Sequence, residues 1–177
     1  MEFFLVATEN GALGVEWSEA AAPPACPVCG RHTRPDPAMG YEVVVADASE
    51  LKDLNHAAPV YVASPRFAAW YERTGQTGLA FDPLPRIEGR LRARITGAAR
   101  LPPSSGATAT VRCDHCGYRY YEVDGPWRID EEAWDRSGFF QVSERPGAMF
   151  CSRAAKAAVE EAGLTGAVFL EMDLVAL

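Results

Sequence analysis

The chain of 177 residues contains no apolar run long enough to cross a bilayer, and its opening Met1-Glu2-Phe3-Phe4-Leu5-Val6-Ala7-Thr8 carries no basic segment ahead of a short hydrophobic stretch. Neither a membrane span nor a secretory signal is expected. Histidine is scarce: His32, His56 and His115 are the only three, and none stands in His-Glu-x-x-His or comparable ligand spacing. There is no Gly-x-Gly-x-x-Gly or Walker sequence to cradle a phosphate, and no Ser-His-Asp set or pair of carboxylates that can be placed as a catalytic unit. Positive charge is also short, with 17 Lys and Arg against 24 Asp and Glu for a net charge of −7. Phosphate backbones are held by basic surfaces, so the balance argues against nucleic-acid binding. The missing motifs argue against an enzyme. At 48% hydrophobic residues the chain can bury one substantial core or two small halves around a shared one, and disorder is not expected.

Cysteine is sparse but patterned. Four of the five cysteines fall in two short knuckles, Cys26-Pro27-Val28-Cys29-Gly30 and Cys113-Asp114-His115-Cys116-Gly117. A Cys-x-x-Cys-Gly turn lets two thiolates converge on one ion, and the glycine takes up backbone geometry that a side chain obstructs. Two knuckles complete a tetrahedron, so Cys26, Cys29, Cys113 and Cys116 are predicted to share one structural Zn2+ per chain. Four sulfur ligands leave no open position for water or substrate. The competing readings are two independent low-affinity sites, or two disulfides in an exported protein. Neither pair sits between a clear strand and a long helix, as thioredoxin-like redox chemistry requires. Knuckle spacing with one cysteine left over favours a reducing cytoplasm. His115 is expected to point outward from its turn, and His32 to be a ligand only if a cysteine is otherwise engaged. Cys151 precedes an expected helix but has no assignable histidine or acid partner, which predicts a buried, unreactive thiol.

A repeat underlies the cysteine pattern. The segment from Ser64 to Phe81 echoes that from Ser152 to Phe169, with Gly75-Gln76-Thr77-Gly78 matched by Gly163-Leu164-Thr165-Gly166, and a knuckle precedes each copy at nearly the same distance. The predicted fold is α+β, a single compact domain of duplicated halves at about 1–89 and 90–177. Each half has a zinc knuckle followed by a helix and a strand, and the shared tetrathiolate site joins them. Ser64 and Pro65 suit a helix start and Gly75 its stop, while Ala155, Ala158, Val159 and Ala162 recur at helical spacing before Gly163. Strands are expected at 3–7, 41–46, 91–95, 118–123 and 167–172. In the third of these, Arg90, Arg92 and Arg94 share one face opposite Leu91, Ala93 and Ile95. Phe67, Trp70 and Tyr71 read as core. Proline and glycine divide the chain near 21–24, 82–85 and 101–106, the last being the best boundary loop.

The two Cys-x-x-Cys-Gly knuckles, an acidic aromatic segment and the closing Gly163-Leu164-Thr165-Gly166-Ala167-Val168-Phe169 together resemble the myxobacterial double-CXXCG motif family, which includes immunity proteins against contact-delivered lipoprotein toxins. The resemblance runs from the first aromatic strand to Glu171. It implies a stoichiometric inhibitor of a cognate toxin domain, working in the cytoplasm without catalysing a reaction. The surface expected to meet that partner comprises Tyr120, Tyr121, Trp127, Asp130, Glu131, Glu132 and Trp134, an acidic and aromatic composition suited to a basic protein. The alternatives are a cytoplasmic structural zinc-ribbon adaptor and, behind it, a nucleic-acid-binding protein.

Overall fold

The computed structural model describes residues 2–8, 13–18, 22–32, 40–45, 47–84, 87–125 and 127–172; Ala21, Ala46 and Pro85, at the edges of three expected segments, lie outside them. The strands are β1 (Phe3–Thr8), β2 (Leu13–Trp17), β3 (Tyr41–Val45), β4 (Leu54–Ala57), β5 (Val60–Ala63), β6 (Leu79–Pro83), β7 (Leu91–Ile95), β8 (Ala98–Ala99), β9 (Ala107–Arg112), β10 (Arg119–Val123), β11 (Phe139–Val142), β12 (Arg145–Ser152) and β13 (Ala167–Glu171). Helix α1 (Pro65–Arg73) joins β5 to β6, and α2 (Arg153–Glu161) joins β12 to β13. They form a four-stranded sheet in the order β4-β5-β7-β6, a five-stranded sheet in the order β13-β1-β12-β11-β8, and the two-stranded pairs β2-β3 and β9-β10.

The sheets exchange strands along the chain. β7 lies between β5 and β6, with Leu91 opposite Ala63 on one side and Pro83 on the other. β1 lies between β12 and β13, with Phe4 opposite Cys151 and Glu171. The first strand of the chain thus completes the late sheet, and the strand just past the middle completes the early one. Cutting at 89/90 therefore does not separate two self-contained halves, because each expected half supplies the inner strand of the other's sheet. Apolar clusters lie against both faces of β1, Phe4 and Val6 in one and Phe3 and Leu5 in the other, which is why successive Phe3 and Phe4 are both buried.

Both helices start on the same local chemistry. Ser64 (φ −76°, ψ 160°) accepts a bond from the Phe67 amide and Ser152 (φ −75°, ψ 159°) one from Ala155, each satisfying an amide that the first helical turn leaves unpaired. The turn after each helix docks on the opposite sheet: the Thr77 carbonyl accepts from the Phe139 amide and the Thr165 carbonyl from the Leu54 amide, both at 3.0 Å. Gly78 (φ +95°) and Gly166 (φ +94°) make this approach possible. A Cβ would lie 1.7 Å from the Phe139 oxygen at the first and 2.1 Å from the Leu54 oxygen at the second.

Between the sheets and helices lies the main core, where Phe67, Trp70 and Tyr71 of α1 meet Val159 of α2, Tyr61 and Phe4. The outer face of the four-stranded sheet, Val60 and Val62, is covered by the β2-β3 hairpin through Leu13, Val15 and Val43. The outer face of the five-stranded sheet, Phe3, Phe140, Val142 and Phe150, is covered by Leu101, Trp127, Ile129 and Trp134. The expected boundary loop at 101–106 is thus packed rather than linking: Leu101 and Ser105 are buried, and the Ser105 carbonyl accepts from the Gly125 amide at 3.1 Å.

Candidate metal centre

The two knuckles are built alike. The Gly30 amide donates to the Cys26 carbonyl and the Gly117 amide to the Cys113 carbonyl, both at 2.9 Å; the Cys26 and Cys113 amides donate across their turns to Arg31 and Tyr118 at 2.8 and 2.9 Å. Gly30 (φ +70°) and Gly117 (φ +74°) occupy the left-handed region that closes each turn without a Cβ penalty. The second knuckle caps the β9-β10 ribbon, while the first is held by an isolated bridge between Ala25 and His32.

All four Sγ atoms lie within 4.8 Å of one another, with Cys26 to Cys113 at 4.0 Å and Cys29 to Cys116 at 3.7 Å. A tetrahedron with Zn–S bonds of ~2.3 Å has edges of ~3.8 Å, so the sulfurs stand at coordination distance. All four cysteines are free thiols, with none of their sulfurs joined in a disulfide. Cys26 and Cys113 are buried, Cys29 is exposed and Cys116 half-buried. The Arg31 amide pulls the Cys29 pKa down, but desolvation and the neighbouring thiols of Cys26, Cys113 and Cys116 outweigh it and push the thiol up to about 11. Four crowded sulfurs resist ionising together, and a divalent cation relieves that conflict. The cluster is a tetrathiolate-like zinc site. Outside it the knuckles meet again, where the Arg31 guanidinium lies 4.6 Å above the Tyr118 ring and donates to its hydroxyl at 3.3 Å.

The histidines stand apart from the sulfurs. His32 Nδ1 lies 2.5 Å from the Pro23 carbonyl oxygen and its ring packs on Trp17, while His115 is exposed on its turn. Cys151 is fully buried beside Phe139 on β11, and burial drives its thiol pKa far up, which leaves no thiolate for chemistry. The three arginines expected to share a face are engaged in the fold: Arg92 and Arg94 both bind Asp82, at 3.1 and 3.2 Å, and Arg90 donates to the Leu51 and Lys52 carbonyls.

The expected partner surface is divided. Trp127 and Trp134 are buried, Trp127 stacked on Phe150 and Trp134 edge-on to Phe3 with its Nε1 donating to the Ser137 carbonyl. They complete the outer core of the five-stranded sheet, so neither stands on the surface. Glu131 and Glu132 are exposed, Asp130 is half-buried with its carboxylate accepting from the Glu132 amide, and Tyr120 (48% exposed) and half-buried Tyr121 belong to the ribbon.

Sequence reasoning missed one polar cluster. Asp53, ahead of β4, accepts from Ser64 Oγ at 2.8 Å, from Arg66 at 2.8 Å and from the Thr165 amide and hydroxyl at 3.0 and 3.1 Å. Arg66 also donates to the Ala162 and Gly163 carbonyls, satisfying the end of α2. Burial opposes the Asp53 charge, but the Thr165 amide, the Ser64 and Thr165 hydroxyls and Arg66 together hold its carboxyl below the ordinary value of 3.8. Asp53 and Thr165 stand 112 residues apart in the chain, so only the facing Asp and Thr side chains of two turns signal it. A carboxyl lowered in the folded state stabilises the fold fully above the unfolded value, and that contribution is lost as pH falls through 3.8 to the folded value. Asp53→Asn is expected to cost about 3 kcal/mol at neutral pH and to flatten the acid limb of stability against pH, read by urea unfolding across that range.

The fold and the site define a zinc-binding structural protein. No helix among the described residues is long and apolar enough to cross a membrane. No family model matches the chain, and no curated protein matches it.

Proposed function

We propose that this chain is a non-catalytic binding protein, a cytoplasmic zinc-ribbon adaptor in which a structural metal ion and a duplicated α+β scaffold hold a surface ready for another protein. The observation that carries the reading is the convergence of four thiolates from two distant knuckles into one closed set. Such a site stiffens a scaffold and offers substrate no coordination position. Rigidity of this kind lowers the entropic cost of binding. The duplication draws support from the matched serine caps, the matched glycine turns, and the close agreement between the 87 residues that separate the knuckles and the 88 (152 − 64) that separate the caps. In this reading the two halves are copies that exchange their first strands.

One observation favours a narrower partner. Both Cys-x-x-Cys-Gly knuckles, the most specific part of the resemblance to the double-CXXCG family, converge on the same centre, which supports an immunity protein that neutralises a cognate toxin domain stoichiometrically. Its contact surface would be Asp130, Glu131 and Glu132 with Tyr120 and Tyr121, the tryptophans serving as their support. The experiment is a quantitative pull-down of the zinc-loaded chain from its native extract together with the products of neighbouring genes. A stoichiometric toxin domain whose affinity drops when Asp130, Glu131 and Glu132 are neutralised together supports immunity. A stable complex with a housekeeping protein supports the adaptor, and capture of nothing at stoichiometric level overturns both.

A further inference from the structure

The four sulfurs of the metal centre differ in access. Cys26 and Cys113 are each 6% exposed, whereas Cys29 is exposed and Cys116 half-buried. The Sγ atoms of this outer pair stand 3.7 Å apart, closer than the 4.0 Å between Cys26 and Cys113. Every pairing in the cluster falls within 4.8 Å, so distance alone does not select one. Exposure selects Cys29 with Cys116. Gly30 and Gly117 follow the outer pair directly, and among the described residues nothing lies within 4 Å of where a Cβ would stand on either. The ends of both knuckles are thus open to small solutes, and an accessible thiolate is the one that reacts. The frame that holds the pair face to face does not depend on the metal. Each knuckle closes on its own glycine amide bond, and the Arg31 guanidinium over the Tyr118 ring joins the two outside the cluster.

We propose that Cys29 and Cys116 are an oxidative modification site, at which a peroxide turns two zinc ligands into a disulfide that bridges the knuckles. In the zinc-loaded chain both are thiolates. The Cys29 thiolate, the more exposed, attacks one peroxide oxygen: an S–O bond forms, the O–O bond breaks, and the departing hydroxide takes a proton from solvent to become water. The Cys116 thiolate then attacks the Cys29 sulfur, making the S–S bond as the S–O bond breaks and a second hydroxide leaves as water. Two thiolates lose two electrons, and one peroxide is reduced to two waters. Closing 3.7 Å to a bond of ~2.0 Å asks for ~1.7 Å of approach, shared between two side chains. Cys26 and Cys113 alone are half of a tetrahedral set, so the ion is released. A disulfide within either knuckle would part the two, and one between Cys26 and Cys113 would require the oxidant to enter buried space. The outer pair instead replaces one link between the knuckles with another, so the scaffold keeps its shape when its metal is lost.

The test is to count zinc in the full natural chain, treat it with hydrogen peroxide, and follow both metal release and the peptides joined under non-reducing digestion by mass spectrometry. The expected result is release of about one zinc per chain, in step with a single crosslink between the peptides of Cys29 and Cys116. Dithiothreitol with added zinc should then restore the metal and remove the crosslink. Hydrogen exchange gives a second readout that needs no variant: the amides of 22–32 and 107–123 are expected to stay protected after peroxide and to lose protection after chelation. Zinc retained after peroxide overturns the proposal, as does a dominant crosslink of any other pair, sulfinic acid in place of a crosslink, or the same loss of protection that chelation produces. The proposal rests on the metal centre and not on the adaptor role. A chain without zinc at the outset overturns the centre and this exchange together, while partner capture has no part in the experiment.

Discussion

Gly78→Ala is expected to abolish stable folding, and Gly166→Ala to do nearly the same. At both positions the added methyl meets a backbone oxygen rather than a movable side chain, the Phe139 carbonyl at 1.7 Å and the Leu54 carbonyl at 2.1 Å, and the positive φ is unfavourable for alanine besides. Relief requires the turn to leave the opposite sheet, which gives up the amide bond from Phe139 or Leu54 and uncovers the core beneath. The combined loss is expected to exceed about 4 kcal/mol, most of the stability of an ordinary domain. Gly75→Ala is the control: it shares a positive φ of +64° but has open space around it, so only the backbone cost of roughly 1 kcal/mol applies. Urea midpoints of the three variants decide the matter, and a Gly78→Ala protein as stable as Gly75→Ala would show that the turn does not press on Phe139.

Removing zinc is expected to produce the second large change, and a local one. Structural zinc in small motifs supplies roughly 10–16 kcal/mol of apparent binding energy at neutral pH, enough to decide whether a segment folds. Here that energy falls on the knuckles and the β9-β10 ribbon. None of Cys26, Cys29, Cys113 and Cys116 belongs to the three apolar clusters, and the ribbon reaches them only through Ala107 and Val123 at its base. A two-stranded ribbon with little core of its own is marginal in water. Chelation, or Cys113→Ser, should therefore expose the amides of 22–32 and 107–123 to full hydrogen exchange while α1, α2 and the inner strands stay protected. Elemental analysis should give about one zinc per chain beforehand. Loss of protection throughout the chain would instead place the metal at the heart of global stability, the broader effect that the long loop between the knuckles suggests.

How much of this was legible in the chain depends on the range of each interaction. The knuckles, the Ser64 cap and the glycine stops are set by neighbours within a few residues, and sequence reading placed them; the Ser152 cap is equally local and was missed. β1, β3, β7, β10 and β13 were also foreseen, each to within a residue or two of its bounds. β5 and β12 escaped because Val60–Ala63 and the end of β12 are buried on both faces; they show no alternation of apolar and polar residues. Trp127 and Trp134 misled for the converse reason. Set among acidic residues without periodicity, they looked like surface, yet an irregular segment can cover a sheet as well as a helix can, and their acidic neighbours point the other way. The exchange of β1 and β7 had no local signature, since a strand's own residues state which of its faces are covered but not which strands pair with its edges.

That exchange sets the order of events during synthesis. β1 leaves the ribosome with four consecutive apolar residues, Phe3, Phe4, Leu5 and Val6, and its two neighbours, β12 and β13, are translated only after most of the chain. The early sheet can close as soon as β7 emerges, but β1 must wait in the open beside it. A nascent chain with a bare aromatic strand and an incomplete metal site is a natural client for chaperones, and slow translation ahead of β12 would lengthen its exposure.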